Sequence, residues 1–143
     1  MFSKEEASAL RKLFWTSFGK SFPRKWLLYN TKVKGLAFKF VADRKKALVC
    51  LDIDTNDEIA NLLYYDQLLS LKTLLENEIP NVVFDDAYLL ESGKIIHRIY
   101  VDFDKKFSIY NKNTWRDCYE FYVATMSKFE LFYFEYEDII KNI

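Results

Sequence analysis

The chain has little of what most catalytic and metal sites are built from. Its 143 residues include one histidine, two cysteines, three glycines and two prolines. One imidazole cannot serve a Ser-His-Asp or Cys-His arrangement and anything else besides. Three scattered glycines exclude a glycine-rich phosphate loop. Cys50 and Cys118 are too few for a disulfide scaffold and suit a reducing compartment. No apolar run approaches the ~20 residues of a membrane span. The opening MFSKEEASAL lacks the apolar stretch of a signal peptide, so a cytoplasmic protein without a membrane partner is expected.

What the chain does have is apolar mass. Half of it is hydrophobic and 18% is aromatic, with 13 Phe and 10 Tyr. That content excludes intrinsic disorder, and the length suits a single domain over residues 1–143. The net charge of zero conceals a split. Residues 1–50 hold twelve Lys/Arg and three Asp/Glu, and residues 51–143 hold nine and eighteen. Most of the excess lies from Lys20 to Lys46, where nine cations meet the single Asp43. Such a division marks an anionic partner, or two faces that meet each other or a second subunit.

Ser3 and Glu6 form a capping box, predicting a helix from Lys4 that carries Ala7, Leu10, Phe14 and Phe18 and stops at Gly19. Trp26–Asn30 is a short apolar run, either a strand or the lead-in to one. Val33–Val41 then alternates, Asp43–Lys46 reads as a turn, and Ala47–Ile53 alternates again: a β-hairpin. Thr55 and Glu58 repeat the capping spacing for a second helix, carried by Ile59, Leu62, Leu63, Leu69, Leu74 and Leu75 and ended by Ile79-Pro80. A second hairpin follows, Val83–Leu90 and Ile95–Phe103 around Glu91–Lys94. Thr114 caps a last helix to about Ile140, with nine aromatics between Trp115 and Tyr136.

The order helix–hairpin–helix–hairpin–helix predicts an α+β fold: a four- or five-stranded, largely antiparallel sheet with helices packed on one face. An echo supports two related halves. Leu51-Asp52-Ile53-Asp54 and Val101-Asp102-Phe103-Asp104 lie 50 residues apart, as two units about a pseudo-twofold axis would place them. Counting Trp26–Asn30 as a strand gives the competing parse, helix–three strands–helix–strand, the order of a restriction-endonuclease-like α/β core.

Two constellations could carry chemistry. Asp52 and Asp54 share a strand face, as do Asp102 and Asp104, and such pairs can hold Mg²⁺ for hydrolysis. These four are the catalytic candidates, with Asp52 and Asp54 the candidate metal ligands; the bland alternative is that they end strands ahead of helix starts. A restriction-type nuclease also needs a lysine two residues beyond an acid on the strand, and Asp52-Ile53-Asp54 has none. The second constellation is basic. Arg24, Lys25, Lys32, Lys34, Lys39, Lys45 and Lys46, with Arg44 among them, interleave with Trp26, Tyr29, Phe38 and Phe40, a pairing that suits nucleic acid. Its bland alternative is a solvated strand edge over core rings. His97 shares parity with Ile95, Ile99 and Val101 and reads as a hydrogen-bonded core residue. Rings on most of the last helix require cover on two sides within the fold, or a second subunit.

Phe14-Trp15, Trp26-Leu27, Val33-Lys34-Gly35, Thr114-Trp115 and Phe129-Glu130 resemble the bacterial and archaeal family of domains of unknown function numbered 4268. The resemblance spans nearly the whole chain. It implies an association with DNA metabolism or defence and carries no catalytic residues over. The leading expectation is a non-catalytic binding or accessory module contacting nucleic acid through residues 20–46, without cofactor. The alternatives are a divergent or degenerate Mg²⁺-dependent nuclease and a protein–protein module, with homo-oligomerisation through the aromatic last helix.

Overall fold

A computed structural model describes residues 2–142. The elements are α1 (Lys4–Ser21), β1 (Leu36–Ala42), β2 (Ala47–Ile53), α2 (Glu58–Ser70), α3 (Lys72–Glu78), β3 (Val83–Leu89), β4 (Ile95–Asp102) and α4 (Trp115–Lys141). The four strands form one antiparallel sheet in the order β1-β2-β4-β3. The fold is α+β, as the sequence predicts.

The two hairpins join through their second arms, and their register carries the 50-residue echo. Asp52 opposes Arg98 and Leu48 opposes Asp102; adding 50 to one residue and subtracting it from its partner turns the first pair into the second. A pseudo-twofold axis between β2 and β4 therefore relates the strands.

One sheet face is the main core. Leu36 and Phe38 of β1, Val49, Leu51 and Ile53 of β2, and Ile99 and Val101 of β4 are buried there. α4 crosses this face, with Phe129 and Tyr133 against Phe38 and Tyr122 against Phe40. On its other side α1 closes in, Phe14 meeting Trp115, Tyr119 and Tyr122, and Phe18 meeting Phe40. Each fully buried Phe or Leu contributes roughly 1.5–3 kcal/mol. The buried phenols are satisfied by backbone: Tyr119 donates to the Phe14 carbonyl at 2.6 Å, Tyr122 to Val41 at 2.5 Å, and Tyr133 to Thr31. The aromatic girth of α4 is thus covered on two sides within one chain. Of its nine rings only Phe134 is exposed, so the ring count does not by itself require a second subunit.

Several boundaries differ from expectation. The Ser3–Glu6 capping box is present, but Gly19 lies inside α1, which ends at Ser21 ahead of Pro23. Trp26–Asn30 is no strand. It is a turn held beside β1 by one hydrogen bond, from the Phe38 amide to the Leu28 carbonyl at 3.0 Å. The three-strand opening of the restriction-endonuclease-like parse is therefore absent. Asp57, not Thr55, caps α2, its carboxylate accepting from the Ile59 and Ala60 amides. The second helix breaks at Leu71, and its core stripe is Tyr65, Leu68, Leu71 and Leu75; Ile59, Leu62, Leu63, Leu69 and Leu74 are exposed. Both stripes are apolar, and only packing against β2 and α4 selects between them.

Candidate functional site

The opposite sheet face lies outside the main core. Side chains of alternate parity point there: Lys39 and Val41 from β1, Leu48, Cys50 and Asp52 from β2, Ile96, Arg98 and Tyr100 from β4. β2 is nonetheless buried along its whole length. Long polar side chains do the covering. Arg98 lies under the Tyr88 ring, 4.4 Å from its centroid, and Tyr88 meets Tyr100 edge-on at 5.4 Å.

At the centre of this face is a buried ion pair. Asp52 is 1% exposed and accepts from Arg98 Nε at 2.7 Å and Nη2 at 2.8 Å; Arg98 is 4% exposed. Lys39 Nζ adds a third contact at 3.2 Å. Burial works against the Arg98 charge, but the hydrogen bonds and charge of Asp52 outweigh it and hold the guanidinium above its ordinary value. Burial also pushes the neighbouring Cys50 thiol up, so no thiolate forms near neutral pH.

Beside this pair opens a cleft of about 990 Å³, walled by both hairpin turns. Its cations are Arg11, Arg44, Lys45, Lys46 and Arg98; its carboxylates are Asp43 and Glu91. Asp43 is occupied, its Oδ1 accepting from the Lys45 amide at 2.7 Å and the Lys46 amide at 2.8 Å. That Asx turn fixes the hairpin tip and leaves the ammonium groups outward. Tyrosines organise the cations. Lys46 donates to Tyr88 at 3.0 Å, which holds its ammonium above the ordinary value, and Arg11 donates to Tyr110 at 2.7 Å. A concave face with this charge excess, and phenol rings among the cations, can bind phosphates.

The basic residues singled out in the sequence divide into two groups. Lys39, Lys45 and Lys46 belong to this face. Arg24 and Lys32 lie in the α1–β1 loop, where Arg24 pairs with buried Glu130 and caps the Trp26 ring at 4.0 Å, and Lys32 lies 3.5 Å from Glu137. Lys25 and Lys34 are exposed in the same loop, and Lys34 lies ahead of β1 rather than within the predicted Val33–Val41 strand. Part of the charge split is thus resolved inside one chain, cations of the first half meeting carboxylates of the second.

The four aspartates do not converge. Asp52 and Asp102 sit at opposite ends of the β2–β4 pair, roughly 13 Å apart at ~3.3 Å per residue. Asp54 pairs with Lys94 at 2.7 Å, and Asp104 is exposed beyond the end of β4. Among the described residues no group of three or more His, Cys, Asp or Glu side chains could hold a metal ion. His97 stacks on Tyr65 at 4.7 Å, and its buried Nδ1 has no hydrogen-bond partner among the described residues, unlike the satisfied histidine expected.

Sequence reasoning missed Arg11, Arg98, Tyr88 and Tyr110. They lie from α1 to the segment after β4, and no linear pattern joins them. The β2–β4 register alone places Arg98 opposite Asp52.

Comparison with known proteins adds one match: the family model described as "Domain of unknown function (DUF4268)" covers residues 10–137. No curated protein and no solved structure matches the chain.

Proposed function

The chain belongs to the DUF4268 family, which is defined without an activity, and from the geometry we propose a non-catalytic nucleic-acid-binding module. Its contact surface is the helix-free sheet face with the Asp43–Lys46 turn. The observation that carries this reading is the cleft itself: five cations from three separate parts of the chain, of which Arg98 is already paired with Asp52, against two carboxylates, one engaged by backbone. The Asp52–Arg98 pair is the structural floor of the site. Lys45 and Lys46, exposed at the turn, are the phosphate contacts. Arg24 and Lys32, engaged by Glu130 and Glu137, hold the loop. An accessory role in DNA metabolism or defence, which the family resemblance implies, is part of this reading. For self-association, the outer strip of α4 offers Leu131, Phe134 and Ile139.

Fluorescence anisotropy with labelled single- and double-stranded DNA and RNA at two salt concentrations tests the reading. Wild type should bind with a steep salt dependence. Lys45→Glu/Lys46→Glu should weaken binding at least tenfold and flatten the log–log salt slope by about 1.4–1.8, two phosphate contacts at roughly 0.7–0.9 each. Unchanged affinity in that variant would sink the assignment. The same mixtures with added Mg²⁺, run on a gel, test the nuclease alternative: cleavage would overturn the non-catalytic part.

A further inference from the structure

Along the free edge of β1, next to the basic cleft, lies a second feature of different chemistry. It is an apolar groove lined by Trp15, Leu28, Tyr29, Ala37, Lys39 and Phe40, and it contains no carboxylate. Two of its walls are exposed rings. Tyr29 is 76% exposed and Trp15 is 37% exposed, in a chain whose other two tryptophans are buried.

The backbone that presents Tyr29 is fixed, and the Trp15 ring is packed. Leu28 takes a positive φ of 49°, which turns the chain so that Tyr29 projects outward. That turn is pinned from three directions. The Leu28 carbonyl accepts from Phe38, buried Glu130 accepts from the Leu27 amide at 2.6 Å, and Arg24 on Trp26 covers the preceding residues. Trp15 stands edge-on to Phe14 at 4.8 Å and parallel to Tyr122, with centroids 6.1 Å apart. Tyr29 itself makes no side-chain hydrogen bond among the described residues, so fold stability does not account for its position.

Lys39 lines this groove, and from it β1 runs through Val41 and Ala42 to the Asp43–Lys46 wall of the cleft. The seven residues of β1 span about 20 Å. Along that path the exposed groups are ring, ring, lysine, then the cations of the turn. Such a sequence of surfaces matches a ligand with a π-face at one end and negative charges along its length.

We infer that the β1-edge groove receives an unpaired nucleobase, stacked against Tyr29 and Trp15, and that the strand bearing it runs along β1 with its phosphates toward Lys39 and the Asp43–Lys46 turn. The ligand is therefore single-stranded. In a duplex each base face is already stacked on its neighbour and cannot meet the rings. This inference rests on the nucleic-acid reading above and narrows it to one class.

The test uses the intact chain with a labelled oligo(dT) and a duplex of equal length. Oligo(dT) should bind more tightly than the duplex and quench tryptophan fluorescence through Trp15. Tyr29→Ala should weaken oligo(dT) binding about fivefold or more, the loss of one stacked base. It should leave duplex affinity and thermal stability unchanged, and Tyr29→Phe, which keeps the ring, should restore oligo(dT) binding. Trp15→Phe should remove most of the quench. If Tyr29→Ala binds oligo(dT) within twofold of wild type while Lys45→Glu/Lys46→Glu loses binding, the stacking inference is overturned and the nucleic-acid reading stands. If wild type binds neither probe at low salt, both fall.

Discussion

Replacing Asp52 by asparagine keeps the side chain's shape and removes its charge, and the structure makes the consequence calculable. Asp52 and Arg98 are both almost fully buried and joined by two hydrogen bonds of 2.7 and 2.8 Å. In Asp52→Asn the Arg98 guanidinium stays buried without a counter-ion. Lys39, whose side chain is 48% exposed, can turn to water; Arg98 lies under Tyr88 and cannot. Breaking a buried pair from one side costs about 3–5 kcal/mol, a large part of the ~5–15 kcal/mol available to a domain. At roughly 3–4 °C per kcal/mol for a chain of this size, the melting temperature should fall by about 10–20 °C. Urea unfolding followed by circular dichroism gives the free energy directly. Asp52→Leu/Arg98→Met, which removes both charges and leaves nothing unpaired, should recover most of the loss. A loss below about 1 kcal/mol in Asp52→Asn would refute the reasoning.

Gly35 and Gly93 form a natural comparison, with φ of +88° and +90°. A Cβ on Gly35 would lie 2.6 Å from Thr55 Cγ2 and 2.9 Å from its Cα, whereas one on Gly93 meets nothing within 4 Å. Gly93→Ala should therefore cost about 1 kcal/mol of backbone strain and Gly35→Ala several times that; equal losses in urea unfolding would contradict the packing at Thr55. Alkaline pH should unfold the protein cooperatively. Burial pushes Cys118, Tyr119 and Tyr133 up to about 12 from ordinary values of 9.0 for the thiol and 10.0 for the phenols. Acids whose native values are raised contribute fully below their unfolded values, and that stability is lost as pH climbs from about 9 toward 12. Tyrosinate absorbance from these phenols should appear together with the loss of near-ultraviolet circular dichroism. Titration near pH 10 in a still-folded protein would show that they are not buried.

Much of the fold is determined by local sequence. The Ser3–Glu6 box starts α1, the alternation of Leu36, Phe38 and Phe40 against Val49, Leu51 and Ile53 makes the first hairpin, and Asp43 closes its turn through its own carboxylate. Capping, strand parity and turn chemistry act over a few residues, so one chain read in order contains them. The 50-residue echo was legible too, but the strand order was not: that the hairpins join through β2 and β4 depends on pairing between segments 50 residues apart. The site was legible only in part: Lys39, Lys45 and Lys46 stood out as cations. Their separation from Arg24 and Lys32 did not, because it depends on where Glu130 and Glu137 of α4 arrive.

Tertiary structure alone decided the rest, and one physical reason covers the cases. When a segment offers two surfaces of similar polarity, burial goes to whichever meets a complementary partner, and that partner comes from far along the chain. α2 had two apolar stripes, and β2 and α4 chose Tyr65 and Leu68 over Ile59 and Leu62. Asp52 could have served a metal, a helix start or an ion pair; Arg98, brought opposite by β2–β4 pairing, made it the anchor of a basic face. Trp15 and Tyr29 belong to segments whose other rings are core, and they stay exposed because β1 is an edge strand with no further strand among the described residues to cover them.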